Sequence, residues 1–242
     1  MKTIALIALV TTAAFAQDAP APAPADAKPK RSLLKYTVPA SAATGARTDG
    51  DGGSRAKGEI LPKHSVLTPS HIAFTTQAQP SLFWFQDGPA QKDSAARVEI
   101  TLINPKIPKP LLKVSAALAG QKDGGSGIHR IQLARQKVTL EPGIEYKWSV
   151  ALVVDPKSRA QDSIASGVIK RIEPAAELAT ELAKSDADKA AAYAANGVWY
   201  DALAALSDQI DAAPKDATLR AARADLLEQV GLKSVAEFER KK

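Results

Sequence analysis

The sequence predicts a mainly β fold, a two-layer sandwich of about seven strands, followed by a small helical subdomain. Between residues 61 and 173, apolar and polar residues alternate in short runs, which is the period of a half-buried strand. From residue 174 to residue 242, alanine and charged residues replace the β-branched ones and the spacing becomes helical. Since nothing between the β runs resembles a crossover helix, an antiparallel sandwich is favoured over a parallel sheet.

Residues 1–16 have the features of a secretory signal peptide. Lys2 supplies the positive charge, residues 4–10 form a short apolar run, and residues 14–16 read Ala-Phe-Ala, an A-x-A cleavage motif. The run is shorter than the roughly 20 residues that span a bilayer, and a short structural helix is the alternative. We therefore predict cleavage after Ala16, a periplasmic or secreted location, and no transmembrane segment in the mature chain.

Residues 17–60 are predicted to be a disordered linker. Alternating Ala and Pro follow the cleavage site, and residues 41–57 are rich in Gly, Ala and Asp. Such a composition favours extended, solvated backbone and supplies little apolar surface to bury. The chain also has no cysteine, so neither disulfides nor thiolate metal sites can stabilise it.

The run from Glu145 to Val154 is the most regular of the predicted strands. Tyr146, Trp148 and Val150 alternate with Lys147, which places the three apolar side chains on one face. Gly167 interrupts the last strand and predicts a bulge there. The predicted strands are His71–Gln77, Ser81–Gln86, Arg97–Asn104, Leu111–Leu118, Ile128–Leu133, Glu145–Val154 and Ser163–Ile172.

Two aromatic residues refine the predicted sandwich. Residues 140–146 read Leu-Glu-Pro-Gly-Ile-Glu-Tyr, which matches the tyrosine corner of immunoglobulin-like and fibronectin type III-like domains, where the Tyr hydroxyl binds the preceding turn. Trp84 lies where such domains often have a core tryptophan, and the alternative is an exposed platform for a ligand. Burial is favoured for Trp84, since burying an aromatic side chain stabilises a domain by about 2 to 3 kcal/mol.

The helical segment at 174–242 has the spacing of a tetratricopeptide (TPR) repeat: Tyr193, Gly197, Trp199, Ala202, Leu206 and Pro214. A second, incomplete unit follows. Because solenoids usually need about three repeats to bury a core, this tail must pack either on the sandwich or on another protein. Residues 61–172 carry 15 Lys/Arg against 8 Asp/Glu, whereas residues 173–242 carry 9 against 13, so attraction between the two halves favours packing on the sandwich.

Five residues form the candidate interaction surface. Arg159 lies in the loop after the strand 145–154, flanked by Asp155 and Asp162, and either forms a structural ion pair or belongs to a recognition loop for an acidic or hydroxylated partner. Trp199 and Tyr200 on the helical tail complete the surface.

Catalytic and metal-binding patterns are weak. His64, His71 and His129 have no metal-ligand spacing, and Ser126, within a glycine-rich loop, lacks the strand-turn-helix context of a nucleophile elbow. The formal charge of +6 has neither the basic stripe nor the exposed aromatic ladder of a nucleic-acid-binding surface. We predict no catalytic residue, no cofactor, no metal and no nucleic-acid partner.

A set of short segments is together specific for one family: Pro80–Trp84, Leu140–Gly143, Tyr146–Val150, Asp155-Pro156 with Arg159 and Asp162, Arg171–Pro174 and Gly197–Leu203. On these segments the chain resembles the bacterial family called domain of unknown function 928 over roughly residues 61–232. One departure is Val154, where relatives often have a cysteine before the Asp-Pro turn. The resemblance implies no known activity, cofactor or catalytic residue.

The sequence thus favours an exported, non-enzymatic protein-interaction module whose protein partner is unknown. The alternative is a carbohydrate- or cell-envelope-binding domain that uses exposed aromatic residues. An unrecognised hydrolase is the third hypothesis, and it requires the histidines to cluster with acids in a cleft.

Overall fold

The computed structural model describes residues 34–50, 55–56, 59–90, 94–118, 125–184 and 188–242. The predicted signal peptide and residues 17–33, 51–54 and 57–58 of the predicted linker lie outside the described residues. The strands are β1 Arg55–Ala56, β2 Glu59–Ile60, β3 Lys63–Val66, β4 Ala73–Thr75, β5 Ser81–Asp87, β6 Arg97–Ile103, β7 Leu112–Ala117, β8 Gly127–Gln132, β9 Glu145–Val153 and β10 Ser163–Arg171. The helices are α1 Ala176–Leu182, α2 Lys189–Ala195, α3 Trp199–Ala212, α4 Ala217–Gln229 and α5 Lys233–Arg240.

Two sheets form the first part of the fold. The larger has the strand order β4-β10-β9-β6-β7 and is antiparallel except for the parallel pair of β4 and β10. The smaller has the antiparallel order β3-β5-β8, and β3 contacts β9 and β10 of the larger sheet. Strands β1 and β2 form a separate two-residue pair. All seven strands predicted from the sequence are present.

Strand β3 is one that the sequence did not predict. It reads Lys-His-Ser-Val, so it is short and its apolar alternation is incomplete. Its pairing with β5, from Lys63 opposite Asp87 to Val66 opposite Trp84, fixes its place in the sheet. Tertiary pairing has here overridden a weak local preference, as is common for strands.

The core strand β9 pairs without interruption with β10. Residues from Ser163 to Lys170 face Leu152 to Glu145 in continuous register, so the predicted bulge at Gly167 was wrong. A Cβ atom on Gly167 would lie 2.5 Å from Thr68 Cγ2 and 3.4 Å from the indole nitrogen of Trp148. The glycine is therefore explained by close packing over the strand, not by a break in the ladder.

The turn before β9 has the predicted tyrosine-corner hydrogen bond. The backbone N–H of Glu141 donates to the Tyr146 hydroxyl oxygen at 2.9 Å, and the Tyr146 ring is 1 % exposed. This bond ties the turn to the strand that follows it. Trp84 is also buried, as predicted, and stacks on His129 with ring centroids 4.2 Å apart.

Residues 34–50, which we call the N-terminal strap, correct the expectation of a linker that is disordered up to residue 60. Thr48 and Ser166 exchange two backbone hydrogen bonds of 2.8 and 2.9 Å, and Gly50 N–H donates to the His64 carbonyl at 3.1 Å. The Tyr36 ring is 7 % exposed. Composition misled the sequence analysis because the strap gains its order from distant residues and has little apolar surface of its own.

The helical tail packs on the sheets, which is one of the two arrangements that the sequence left open. Helix α3 contacts β4 and β5, and buried residues of both regions belong to one hydrophobic cluster. The described residues between 34 and 242 belong to one compact unit. None of the helices in the described part of the chain combines the length and hydrophobicity that a membrane span requires.

Candidate functional site

Trp199 and Tyr200 lie inside the protein, which corrects their assignment to an exposed interaction surface. Both side chains are 0 % exposed. The Trp199 indole donates to the Leu67 carbonyl at 2.8 Å, and the Tyr200 hydroxyl accepts from the Trp148 indole at 2.8 Å. Burial raises the pKa of Tyr200 above its ordinary value. The start of α3 therefore attaches the helix to the sheets, and no partner can contact these two rings while the fold is intact.

Asp201 is a buried carboxylate that the sequence analysis missed. It accepts hydrogen bonds from the Thr75 hydroxyl at 2.5 Å and from the Thr76 N–H at 2.9 Å. Burial raises its pKa, and these hydrogen bonds act in the opposite direction. The sequence places it directly after two aromatic residues at the start of a helix, a pattern that is compatible with either exposure or burial. Because both of its oxygens are occupied by the strand region, the arrangement positions α3.

The predicted loop site forms an ion-pair network over the larger sheet. Arg159 Nε donates to Asp162 Oδ2 at 2.5 Å, and its Nη2 donates to Glu99 Oε1 at 3.0 Å. Lys113 Nζ lies 3.3 Å from the other Glu99 oxygen. The Arg159 hydrogen bond holds the pKa of Glu99 below its ordinary value. The Asp155 carboxylate accepts from the Lys157 N–H at 2.9 Å, as expected at a turn.

This network supports the structural ion pair, the first of the two alternatives for the loop. The Asp162 side chain is only 2 % exposed, whereas that of Arg159 is 43 % exposed. A guanidinium that already binds two carboxylates has few donors left for a ligand.

The three histidines do not form a site together. His64 Nε2 lies 3.1 Å from the Val150 carbonyl, His71 Nδ1 lies 2.9 Å from the Ile72 carbonyl, and His129 Nε2 lies 2.6 Å from the Gly125 carbonyl. In the described part of the chain, no group of three or more His, Asp or Glu residues is arranged to hold a metal ion.

An open groove of about 390 Å³ lies beside β8 and the turn that follows it. Asp211 of α3 forms part of its wall, so the helical tail contributes one side of the groove. We call it the Arg130 groove. Its volume falls within the usual range of ligand sites, roughly 300 to 1,000 Å³. Its lining residues are Arg130, Ile131, Gln132, Arg135, Gln136 and Asp211.

Arg130 is held in place from several sides. Its Nε donates to Ser81 Oγ at 2.8 Å, and its guanidinium carbon lies 5.3 Å from the centroid of the Phe83 ring. Its Nη1 forms an ion pair with Asp208, and the carboxylate of Asp211 lies 3.9 Å from the same nitrogen. These contacts join the basic half of the chain to its acidic tail, and they fix the guanidinium before any ligand arrives.

The remaining groups of the groove are polar and suited to binding. Arg135 and Gln136 are exposed on the turn after β8, and Gln132 is partly exposed on the strand. A guanidinium binds a carboxylate in a planar, two-bonded geometry, and side-chain amides bind both donors and acceptors of a backbone.

Sequence reasoning missed this groove. Arg130 and Asp208 are 78 positions apart, and no local pattern in the sequence indicates that they meet.

A family model described as Domain of Unknown Function (DUF928) matches residues 46–239. This chain belongs to that family. The resemblance noted from the sequence is thereby confirmed, and no curated protein matches the chain.

In this DUF928 protein, the segments that carry the resemblance lie largely in the interior. Trp84, Trp148 and Trp199 are all buried, and Gly197 has a positive φ of 72° at the turn before α3. The groove residues after β8 fall outside those segments. The motifs that identify a DUF928 member here are thus the ones that assemble the sheets and attach α3.

Proposed function

We propose that this DUF928 protein is a non-enzymatic interaction module, which acts in the periplasm or outside the cell and binds a protein partner through the Arg130 groove. The observation that carries the proposal is the grouping of the exposed Arg135 with Gln132 and Gln136 in one groove, beside an Arg130 guanidinium that its ion pair with Asp208 holds in place. Because Arg130 already binds Asp208, Arg135 is the guanidinium of the groove with donors left for a ligand.

The chemistry of the groove favours a polar, extended partner segment that carries a carboxylate. Arg135 would bind the carboxylate, while Gln132 and Gln136 would bind backbone N–H and C=O groups. The export of the protein rests on the features of residues 1–16 alone. Fractionation of cells that produce the chain would test it, because the proposal requires a processed form in the periplasm or the medium.

The fold supports a finer proposal, in which the two sheets are an immunoglobulin-like sandwich and the tail is a TPR-like helical subdomain. The Glu141–Tyr146 hydrogen bond and the antiparallel strands support the first part. Helices α2 and α3, joined at Gly197 beside Trp199, support the second. The parallel pairing of β4 with β10 is a departure from an all-antiparallel sandwich.

The test is a pull-down with the purified chain and its double variant Arg135→Ala/Gln136→Ala. Both side chains are exposed, so the variant should keep the circular dichroism spectrum of the original chain. We expect partner binding to weaken by at least about tenfold. Lys147→Ala, an exposed change on β9, is the matched control and should bind as before. A folded double variant that binds the same partner with unchanged affinity would contradict the proposal.

A carbohydrate- or envelope-binding role is the second candidate. All three tryptophans are buried, so they cannot serve as its expected exposed platforms, and the polar groove is what supports it. Sedimentation with purified peptidoglycan separates the two candidates. Binding that the Arg135→Ala/Gln136→Ala variant loses would favour the envelope, and no sedimentation would favour a protein partner.

A further inference from the structure

The side chain of Tyr36 on the N-terminal strap fills a slot between the sheets and the helical tail. Its ring stacks on His71 with an interplanar angle of 2° and meets the edge of Trp199 at a centroid distance of 5.2 Å. Its hydroxyl lies 3.3 Å from His71 Nε2. The slot therefore has an aromatic floor and wall and a polar end, which together suit a tyrosine ring.

The backbone of the strap is bound through its main-chain N–H and C=O groups, and these contacts do not depend on the side chains of the strap. Gln229 Oε1 accepts from the Tyr36 N–H at 2.8 Å, and Gln229 Nε2 donates to the Leu34 carbonyl at 2.8 Å. The Thr37 N–H donates to the Ala194 carbonyl at 3.0 Å. Three main-chain contacts around one aromatic side chain are the contacts by which proteins hold an extended peptide.

Gly197 makes room for this strap. A Cβ atom at residue 197 would lie 2.6 Å from Pro39 Cγ and 2.9 Å from the Thr37 carbonyl oxygen. Its φ of +72° also favours glycine. The turn before α3 is thus shaped to let an extended chain pass over it.

The residues that form the slot belong to the part of the chain that the family model matches, whereas the residues that fill it do not. His71, Ala194, Trp199 and Gln229 lie within the matched residues 46–239, whereas the strap residues from 34 to 39 precede them. We propose that the slot is a peptide-binding site of the DUF928 domain for an extended partner segment with an aromatic residue. The strap of the same chain competes with that segment for the slot. This site is separate from the Arg130 groove, so either proposal can fail alone.

The strap can leave the slot without unfolding the sheets. Its second half is anchored independently, because Arg47 Nη1 donates to the Thr68 carbonyl at 3.0 Å and Thr48 pairs with Ser166. Gly45 lies between the two halves with a φ of +81°, and no atom lies within 4 Å of where its Cβ would be. When the backbone turns at Gly45, the first half gives up the hydrogen bond from the Ile72 N–H to the Ala43 carbonyl, 2.9 Å long, together with the slot, while the anchored half stays in place.

The test measures binding of a fluorescent peptide with the sequence of residues 34–41, LKYTVPAS, to the full-length chain by anisotropy. The variant Tyr36→Ala should bind this peptide at least about tenfold more tightly than the original chain, because an intact strap competes at an effective concentration on the order of millimolar. A peptide in which alanine replaces the tyrosine should bind neither chain. The control variant Val38→Ala changes a side chain that is 60 % exposed. This variant chain should bind the peptide as weakly as the original chain does.

Two results would overturn the proposal. One is a Tyr36→Ala chain with an unchanged near-ultraviolet spectrum that does not bind the peptide. The other is a concentration-dependent dimer of the original chain that Tyr36→Ala abolishes, since this would assign the slot to the strap of a second copy.

Amide hydrogen exchange keeps the proposal testable if Tyr36→Ala does not fold. In the original chain, the amides of Tyr36 and Thr37 should exchange at least about tenfold faster than those of Thr48 and Gly50. Equal protection of all four amides would mean that the strap does not release, and the proposal would fail.

Discussion

His64 of β3 lies under the strap with its ring against the backbone of Gly50. A Cβ atom at residue 50 would lie only 2.2 Å from the ring carbon Cε1, so glycine is required for this contact. The ring is 1 % exposed, and its Nε2 donates to the Val150 carbonyl at 3.1 Å. Burial lowers the pKa of His64, because the charged ring would lose its hydration.

This burial predicts a loss of stability in mild acid. Below the unfolded pKa of about 6.5, the unfolded chain binds a proton at residue 64 that the folded chain does not bind. The free energy of unfolding therefore decreases as the pH is lowered, by up to about 1.4 kcal/mol per pH unit. The loss continues until pH reaches the lowered folded pKa. His129, whose pKa burial also lowers, acts in the same direction, whereas Asp201, whose pKa burial raises, acts in the opposite one.

Urea unfolding of the original chain and of His64→Gln between pH 7.5 and pH 5 isolates the contribution of His64. Glutamine can still donate to the Val150 carbonyl but does not titrate, so the free energy of unfolding of the variant should depend less steeply on pH. The interpretation fails if the two chains have the same slope.

At the scale of the element, one buried ion pair joins three helices. Arg223 of α4 donates to Glu239 of α5 at 2.6 and 2.9 Å, and its Nη1 donates to Ser207 of α3 at 3.1 Å. The side chains of Arg223 and Glu239 are 8 % and 2 % exposed, respectively. Removal of one partner leaves the other charge buried without compensation, which typically costs about 3 to 5 kcal/mol.

The predicted effect of Arg223→Met is therefore a large loss in the free energy of unfolding, measured by urea denaturation. The double variant Arg223→Met/Glu239→Met should recover much of that loss, because no unpaired charge remains. Arg240→Ala is the matched control, since Arg240 also joins α5 to α4 through Asp225 at 2.9 Å but lies on the surface. A surface pair contributes little, and an equal loss in the control would contradict the interpretation.

At the scale of the whole molecule, the strands could be predicted because alternation is a local signal. Tyr146 and Trp148 belong to one short run, and their shared face follows from the geometry of a strand. The tyrosine corner was predictable for the same reason, since Glu141 and Tyr146 are five positions apart.

The features that the sequence did not predict all join distant parts of the chain. Tyr36 meets Gln229 across 193 positions, so the order of the strap could not be inferred from its own composition. The same holds for Trp199, whose bond to Leu67 spans 132 positions. An aromatic pair at the start of a helix is compatible with exposure or burial, and the packing of that helix decides between them.

These long-range bonds predict that the sheets and the helical tail unfold together. The start of α3 is bound through Trp199 to Leu67, through Tyr200 to Trp148 and through Asp201 to Thr75. Loss of the tail would break these bonds and expose the apolar side chains that the sheets and α3 bury in one cluster, so a separated sheet region should not persist. In urea, the helical signal at 222 nm and the tryptophan emission should therefore have the same midpoint. Tyr200→Phe, which keeps the ring but removes its hydrogen bonds, should lower both midpoints together; if it lowers the helical midpoint alone, the two regions are separate cooperative units.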